Sequence, residues 1–151
     1  MDTIQAQVCG LAIRPGTRAE LEPRQQLHLT RASGVVDDHG TGSRRQLTIL
    51  SEQQWQTVCQ QLGRDLPWTI RRANMLVSGI EFDAGWGGKT LAVGAVKLQV
   101  HGELTPCYRM DEQVSGLQDQ LVPDWRGGIY CEVLEEGEIK IGDSLEQLES
   151  D

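Results

Sequence analysis

Cys107 is the residue best placed, by type and by setting, to do chemistry. Thr105-Pro106-Cys107 follows an alternating apolar run. Pro106 cannot continue a hydrogen-bonded ladder, so a strand ends here and the thiol falls in the segment that leaves the sheet. Arg109 stands two residues further on. A loop cysteine near a cation is more often a thiolate, because positive charge lowers its pKa from about 8.5; a thiolate is both a nucleophile and a soft metal ligand. Position alone also allows an ordinary surface thiol. The other cysteines, Cys9, Cys59 and Cys131, are far apart. No CxxC or Cys/His finger spacing occurs, so a structural zinc site is not expected and the four cysteines read as free thiols of a reducing compartment.

Further candidates lie in polar segments. His39 sits in the glycine-rich loop Gly34–Arg45, after Asp37-Asp38. It is either a ligand-facing histidine or part of a turn in which Asp38 caps backbone amides. Arg71-Arg72-Ala73-Asn74 offers planar guanidinium forks and an amide, a combination suited to phosphate, or else a strand edge with two solvated arginines. Arg44-Arg45 is a second local basic cluster. Arg126-Gly127-Gly128 could let backbone N–H groups approach an anion closely, or could be a plain turn. Gly87-Gly88-Lys89 reads as a turn with a cation at its rim. No Walker loop, GxGxxG, GxSxG elbow, HExxH or EF-hand pattern is present, and no carboxylate pair stands out as an acid/base dyad. His28 and His101 fall in strand-like runs and read as structural.

The chain has 151 residues and a net charge of −8. That length suits one domain able to bury its own core. The acidity argues against a general nucleic-acid binder, which needs a basic field. It is also uneven: Glu132 to Asp151 holds eight acids and one lysine, so the remainder is nearly balanced. The acidic end reads as a solvated face, while the arginine clusters could form a local basic pocket for a phosphorylated small molecule. Neither a secretory leader nor an apolar run of about 20 residues is visible, so a cytoplasmic location away from membranes is expected.

These side chains need a scaffold, and the pattern predicts mostly short strands. Val8–Ile13, Gln25–Arg31, Gln46–Leu50, Ile129–Leu134 and Glu138–Ile141 read as strands. Thr90–Val93 and Val96–His101, joined through Gly94-Ala95, read as a tight hairpin. Thr69–Ser78 looks extended, and Gly85–Gly88 looks like a turn. The best helix follows a capping box, Ser51 with Gln54, and carries Trp55, Val58, Cys59 and Leu62 on one stripe before Gly63 ends it. Gly116–Val122 suggests a second, short helix. Residues 149–151 read as loose. Many short strands and few helices indicate a barrel or rolled sheet.

The order of these features resembles one family. The Gly34…Asp38-His39 loop precedes Arg45-Gln-Leu-Thr-Ile-Leu-Ser51; next come Arg72-Ala-Asn74 with Gly79-Ile80, and Gly88-Lys89…Val93-Gly94. Thr105-Pro106-Cys107, Arg126-Gly127-Gly128-Ile-Tyr-Cys-Glu-Val-Leu and Gly137…Ile141-Gly142-Asp143 follow. This succession is similar to the MOSC domain, named for the C-terminal domain of molybdenum cofactor sulfurases, over roughly residues 8–148 of a single domain spanning 1–151. The resemblance implies a mainly β, barrel-like fold with a few short helices. It matches Cys107 to the family's characteristic cysteine, which carries sulfur or ligates molybdenum in a pterin-bound cofactor. It matches His39 to the histidine of the family's Gly-Asp-x-His-like loop, and places Arg45, Arg72, Asn74 and Arg126, with Gly127 and Gly128, around the cofactor.

Three functions follow as expectations. The first is a molybdenum-cofactor-binding protein with Cys107 on the metal, reducing N-hydroxylated compounds with electrons from a separate reductase. The second is a persulfide carrier or transferase served by a separate cysteine desulfurase. The third is a non-enzymatic cofactor-binding or interaction module. The sulfurases of this family fuse the domain to a pyridoxal-phosphate-dependent desulfurase; no such module is legible here, so pyridoxal phosphate is not expected on this chain.

Overall fold

The computed structural model describes residues 6–39 and 44–148. The chain begins with β1 (Ala6–Ile13), followed by the short β2 (Glu22–Pro23), then β3 (Gln26–Thr30) and the short β4 (Gly34–Val35). Next come β5 (Leu47–Ser51), α1 (Glu52–Leu62) and β6 (Met75–Ser78). The hairpin β7 (Thr90–Val93) and β8 (Val96–Glu103) precedes two short helices, α2 (Arg109–Gln113) and α3 (Leu117–Leu121). The last strands are β9 (Ile129–Glu135), β10 (Gly137–Lys140) and β11 (Ser144–Leu148).

Seven strands close into a barrel in the order β1-β6-β5-β9-β8-β7-β11, with β11 pairing back onto β1 through Ala6 beside Leu145. The neighbours are antiparallel except β5 and β6, whose parallel pairing is bridged by α1 as a crossover. A three-stranded sheet, β10-β3-β4, packs alongside, and Leu27, Leu29 and Ile139 carry the main core across it.

Strand alternation sorts the interior into two cores. Leu47 and Ile49 of β5 and Met75 and Val77 of β6 point into the barrel with Val8, Leu91, Leu98, Ile129 and Val133. Their neighbours Leu50 and Leu76 point outward and are covered by Trp55 and Val58 of α1, Met110 of α2 and Leu117 and Leu121 of α3. The barrel is therefore filled, and one flank carries a helical layer.

Local expectations and structure differ at several places. The 69–78 segment is not extended throughout: Trp68–Arg71 forms a 3-10 turn ended by Arg72 in the left-handed region, and only Met75–Ser78 is strand. The N-cap of α1 is as expected, with the Ser51 hydroxyl accepting from the Gln54 N–H, but the Gln54 side chain does not fold back on the cap. It reaches across instead, donating to Phe82 O and Asp124 O and accepting from Phe82 N–H, so a buried tertiary network replaces the local box. The strand expected over Glu138–Ile141 is present as β10 (Gly137–Lys140), and its partner is the distant β3. The helix α2 and the closing strand β11 were not expected. The end of the chain expected to be loose, 149–151, and part of the His39 loop, 40–43, lie outside the described residues.

Candidate functional site

The barrel register brings the candidate residues together. One row of neighbours runs Leu11–Met75–Ile49–Ile129–Glu103 across β1, β6, β5, β9 and β8. The segments that leave after β1 and β8, and those that enter before β6 and β9, therefore meet near the ends of this row. Arg14 follows β1, Arg71 to Asn74 precede β6, Leu104 to Cys107 follow β8, and Arg126 to Gly128 precede β9.

A cleft of about 330 Å³ opens where they meet. Cys107 lines it with His39, Arg45 and Arg72, all four expected from the sequence. Arg14, Arg18, Arg71 and Arg109 add further cations, and Glu112 is a lone carboxylate on the wall. The Cys107 thiol is exposed, two residues before α2, and its carbonyl accepts from Met110 N–H at 3.0 Å.

Arg71 sets the electrostatics. It is only 6% exposed, and its guanidinium is satisfied by neutral acceptors. Nε donates to Gly127 O at 3.0 Å, Nη2 to Leu104 O at 2.7 Å, and Nη1 to the Met110 thioether at 3.6 Å. Among the described residues it makes no ion pair. Burial pushes it down to about 10, with Cys107 and Glu103 acting to favour the charged form and Arg45 and Arg14 opposing it. It thus stays cationic at neutral pH, a buried charge in the cleft wall without a fixed counter-anion.

The other arginines are held differently. Arg14 is clamped by Asp38, with Nη2 to Oδ2 at 2.8 Å and Nε to Oδ1 at 3.2 Å. Its backbone N–H also donates to Asp38 Oδ1. Arg72 donates to the carbonyl of Ala19, and burial followed by repulsion from Arg14 lowers its pKa. Arg45 lies over the Tyr130 ring, 5.7 Å from its centroid. The His39 ring nitrogen Nε2 shares a hydrogen bond of 2.7 Å with Thr17 Oγ1, and His39 N–H donates to Arg14 O. These contacts tie the loop after β1 to the loop after β4 across the mouth of the cleft.

Asn74, Arg126, Gly127 and Gly128 do not line the cleft. Asn74 is fully buried: its Oδ1 accepts from Thr48 N–H and hydroxyl, and its Nδ2 donates to Ala12 O and Asp38 Oδ1. It holds the carboxylate that holds Arg14. Arg126 donates to Gln120 O and lies 3.9 Å from Asp124. The two glycines serve close packing. A Cβ on Gly127 would come within 2.7 Å of Leu104 O, and one on Gly128, whose φ is +98°, within 2.3 Å of Ile49 O. The sequence signal for Arg14 was faint: a lone arginine before Pro15 at a strand end, the same punctuation as Thr105-Pro106. Arg71 was visible only as the neighbour of Arg72, because charge in a sequence does not announce its burial.

The remaining thiols sit in different surroundings. Cys9 donates to Glu52 and to Leu76 O and is pushed up to about 12 by burial and by that carboxylate. Cys131 is fully buried in the barrel, and burial raises its pKa. Among the described residues no group of three or more His, Cys, Asp or Glu side chains could hold a metal ion.

A closed, mixed seven-stranded barrel with an arginine cleft beside a strand-end cysteine defines the class. The MOSC domain model matches residues 36–146, and the chain belongs to that family. The family ties the domain to molybdenum-cofactor biology. The fold resembles the YUAD protein from Bacillus subtilis, with a TM-score of 0.87 and 19% identity over 99% of each chain. It also resembles YiiM from Geobacillus stearothermophilus, with a TM-score of 0.79 and 16% identity over 95% of this chain and 75% of that one. For YiiM from Escherichia coli the TM-score is 0.71 and the identity 15%, over 96% and 71% of the two chains. A comparison with curated protein sequences returns no match. Among the described residues no helix is long and apolar enough to cross a membrane.

Proposed function

We propose that this chain binds a molybdenum-pterin cofactor with Cys107 on the metal. The observation that carries the reading is the buried Arg71 cation, which reaches the wall of the same cleft as the exposed Cys107 thiol and makes no ion pair among the described residues. A site of this charge favours an anionic ligand, and the cofactor presents a phosphate and a soft metal together. Arg14, Arg45 and Arg72, with Arg71 behind them, would hold the phosphate. His39, held by Thr17, faces the same space. Asn74 serves by fixing Asp38 and Arg14; Gly127, Gly128 and Arg126 support the wall through the carbonyl that Arg71 grips and the turn before β9.

The bound group would supply two-electron chemistry at the metal. Reduction of an N-hydroxylated compound consumes two electrons and two protons and releases water, so the electrons must come from a separate reductase. The exposure of Cys107 also supports a second reading. A desulfurase persulfide could reach the thiol, pass on its sulfane sulfur and return to a cysteine thiol, leaving Cys107 as the persulfide that delivers sulfur to a metal-sulfur centre.

The test is purification from a host that makes the cofactor, with elemental and sulfur analysis of wild type beside Cys107→Ser. About one molybdenum per chain in wild type, lost in the variant, is the expected result. Metal-free wild type that gains one sulfur at Cys107 from desulfurase and cysteine would replace the first reading with the second. A phosphate-bearing pterin held equally by both proteins, without molybdenum or sulfur, would leave a binding module.

A further inference from the structure

The loop that follows β1 is an excursion with pinned ends. Ile13 pairs with Glu22 of β2, and Arg14 is clamped by Asp38, so residues 15–21 leave and rejoin the barrel at neighbouring points. Inside the loop Ala19 N–H donates to Gly16 O, and Arg18, within that turn, has a φ of +60°. Arginine carries a Cβ, so this backbone is costly and its surroundings must hold it. Among the described residues no backbone–backbone hydrogen bond joins 15–21 to the rest of the fold. Two side-chain bonds do: His39 Nε2 shares one of 2.7 Å with Thr17 Oγ1, and Arg72 donates to Ala19 O.

Both latches come from side chains that line the Cys107 cleft, and Gly16, Thr17 and Arg18 of the loop line it too. A guanidinium bonded to a phosphate oxygen makes an interaction about twice as strong as one bonded to a neutral carbonyl. An anion that draws Arg72 and the His39 ring toward itself therefore does so at the expense of Ala19 O and Thr17 Oγ1. The loop and the anion compete for the same two side chains, and the strain at Arg18 favours release once they are withdrawn.

We infer that residues 15–21 form a flap latched by the empty cleft: an anion takes up Arg72 and His39, frees the flap and opens the wall beside Cys107. Access to the thiol is thereby coupled to occupation of the cleft. The latch contacts belong to the empty state alone, so by linkage a change that removes one must tighten anion binding by the same factor. This inference rests on the arginine cleft being an anion site.

Limited digestion by a glutamyl endopeptidase tests it through the Glu20–Leu21 bond of the flap, with cleavage after the exposed Glu136 as internal reference. Saturating inorganic pyrophosphate should raise the relative rate after Glu20 roughly fivefold, the factor that the net worth of one hydrogen bond supplies. Thr17→Val, which keeps the shape and removes the hydroxyl, should show the faster cleavage without pyrophosphate. By calorimetry it should also bind pyrophosphate roughly fivefold more tightly than wild type. Thr17→Ser, which keeps the hydroxyl, should match wild type in both measurements. If pyrophosphate binds while cleavage after Glu20 stays level or slows, the flap is not latched against the anion, and the anion cleft stands. Thr17→Val protein that binds pyrophosphate no more tightly than wild type overturns the latch as well. If pyrophosphate binds to neither protein, the anion reading itself fails and takes this inference with it.

Discussion

Arg71 shows what a single buried side chain can impose on a site. Its three neutral partners fix the guanidinium without cancelling its charge, so the wall keeps a standing preference for anions. The thiols carry the residue-scale prediction. Cys131 and Cys9 both have folded-state pKa values raised above that of a free thiol, Cys131 by burial and Cys9 by burial and Glu52. An acidic group raised in this way contributes stability that is intact below the unfolded value and lost as pH rises, because the unfolded chain ionises first. Stability should therefore begin to fall near pH 9 and keep falling toward about 12. Cys131→Val, which keeps the volume and removes the titration, should fall less steeply. Urea midpoints at about pH 8 and about pH 10.5 will check this, and equal slopes for the two proteins would contradict it. At this scale Cys107, His39, Arg45 and Arg72 were legible, because each sits in a polar segment between strands. Asn74 was legible as important in type but not in role, since only the fold shows that its amide faces inward onto Asp38 and Thr48.

Turns and short elements place the site, and they fall into two kinds. Gly63 and Gly128 both have positive φ, +66° and +98°, yet their surroundings are opposite. A Cβ at Gly63 would meet nothing within 4 Å, whereas at Gly128 it would lie 2.3 Å from Ile49 O. Gly63→Ala should cost about 1 kcal/mol, the ordinary penalty for a left-handed residue. Gly128→Ala should cost on the order of 3 kcal/mol or more, since β9 must also move away from β5. Chemical denaturation of the two variants separates them, and similar costs would show that the wall before β9 can give way. Elements with strong periodicity were readable: the alternation of β8, the hairpin with β7, and the stripe and caps of α1. Five-residue helices such as α2 complete little more than one turn, so no period can declare itself. β11 buries Leu145 but exposes Ser144, Glu146 and Gln147, and reads as part of the acidic surface. The pairing of β10 with β3 was invisible for another reason: register between distant segments is a tertiary choice.

At the scale of the whole molecule, one seam matters most. β11 pairs with β7 on one side and with β1 on the other, and Leu145, 1% exposed, fills the core at that seam. Leu145→Ala should cost about 2–5 kcal/mol, as deletion of a buried leucine does, and should lower the melting temperature of the entire barrel in one transition. A separate early transition would show the seam to be an independent unit. The seam joins Ala6 to Leu145, nearly the greatest separation the described chain allows. Such closure is slow to form, because chain entropy must be lost before the contacts reward it. It also sets an order of events in the cell. While the ribosome still covers residue 148, β1 lacks one of its neighbours, and Arg14 at its far end has no finished barrel behind it. The proposed site is therefore complete only once synthesis has passed this point, and a ligand for it would meet a barrel already closed.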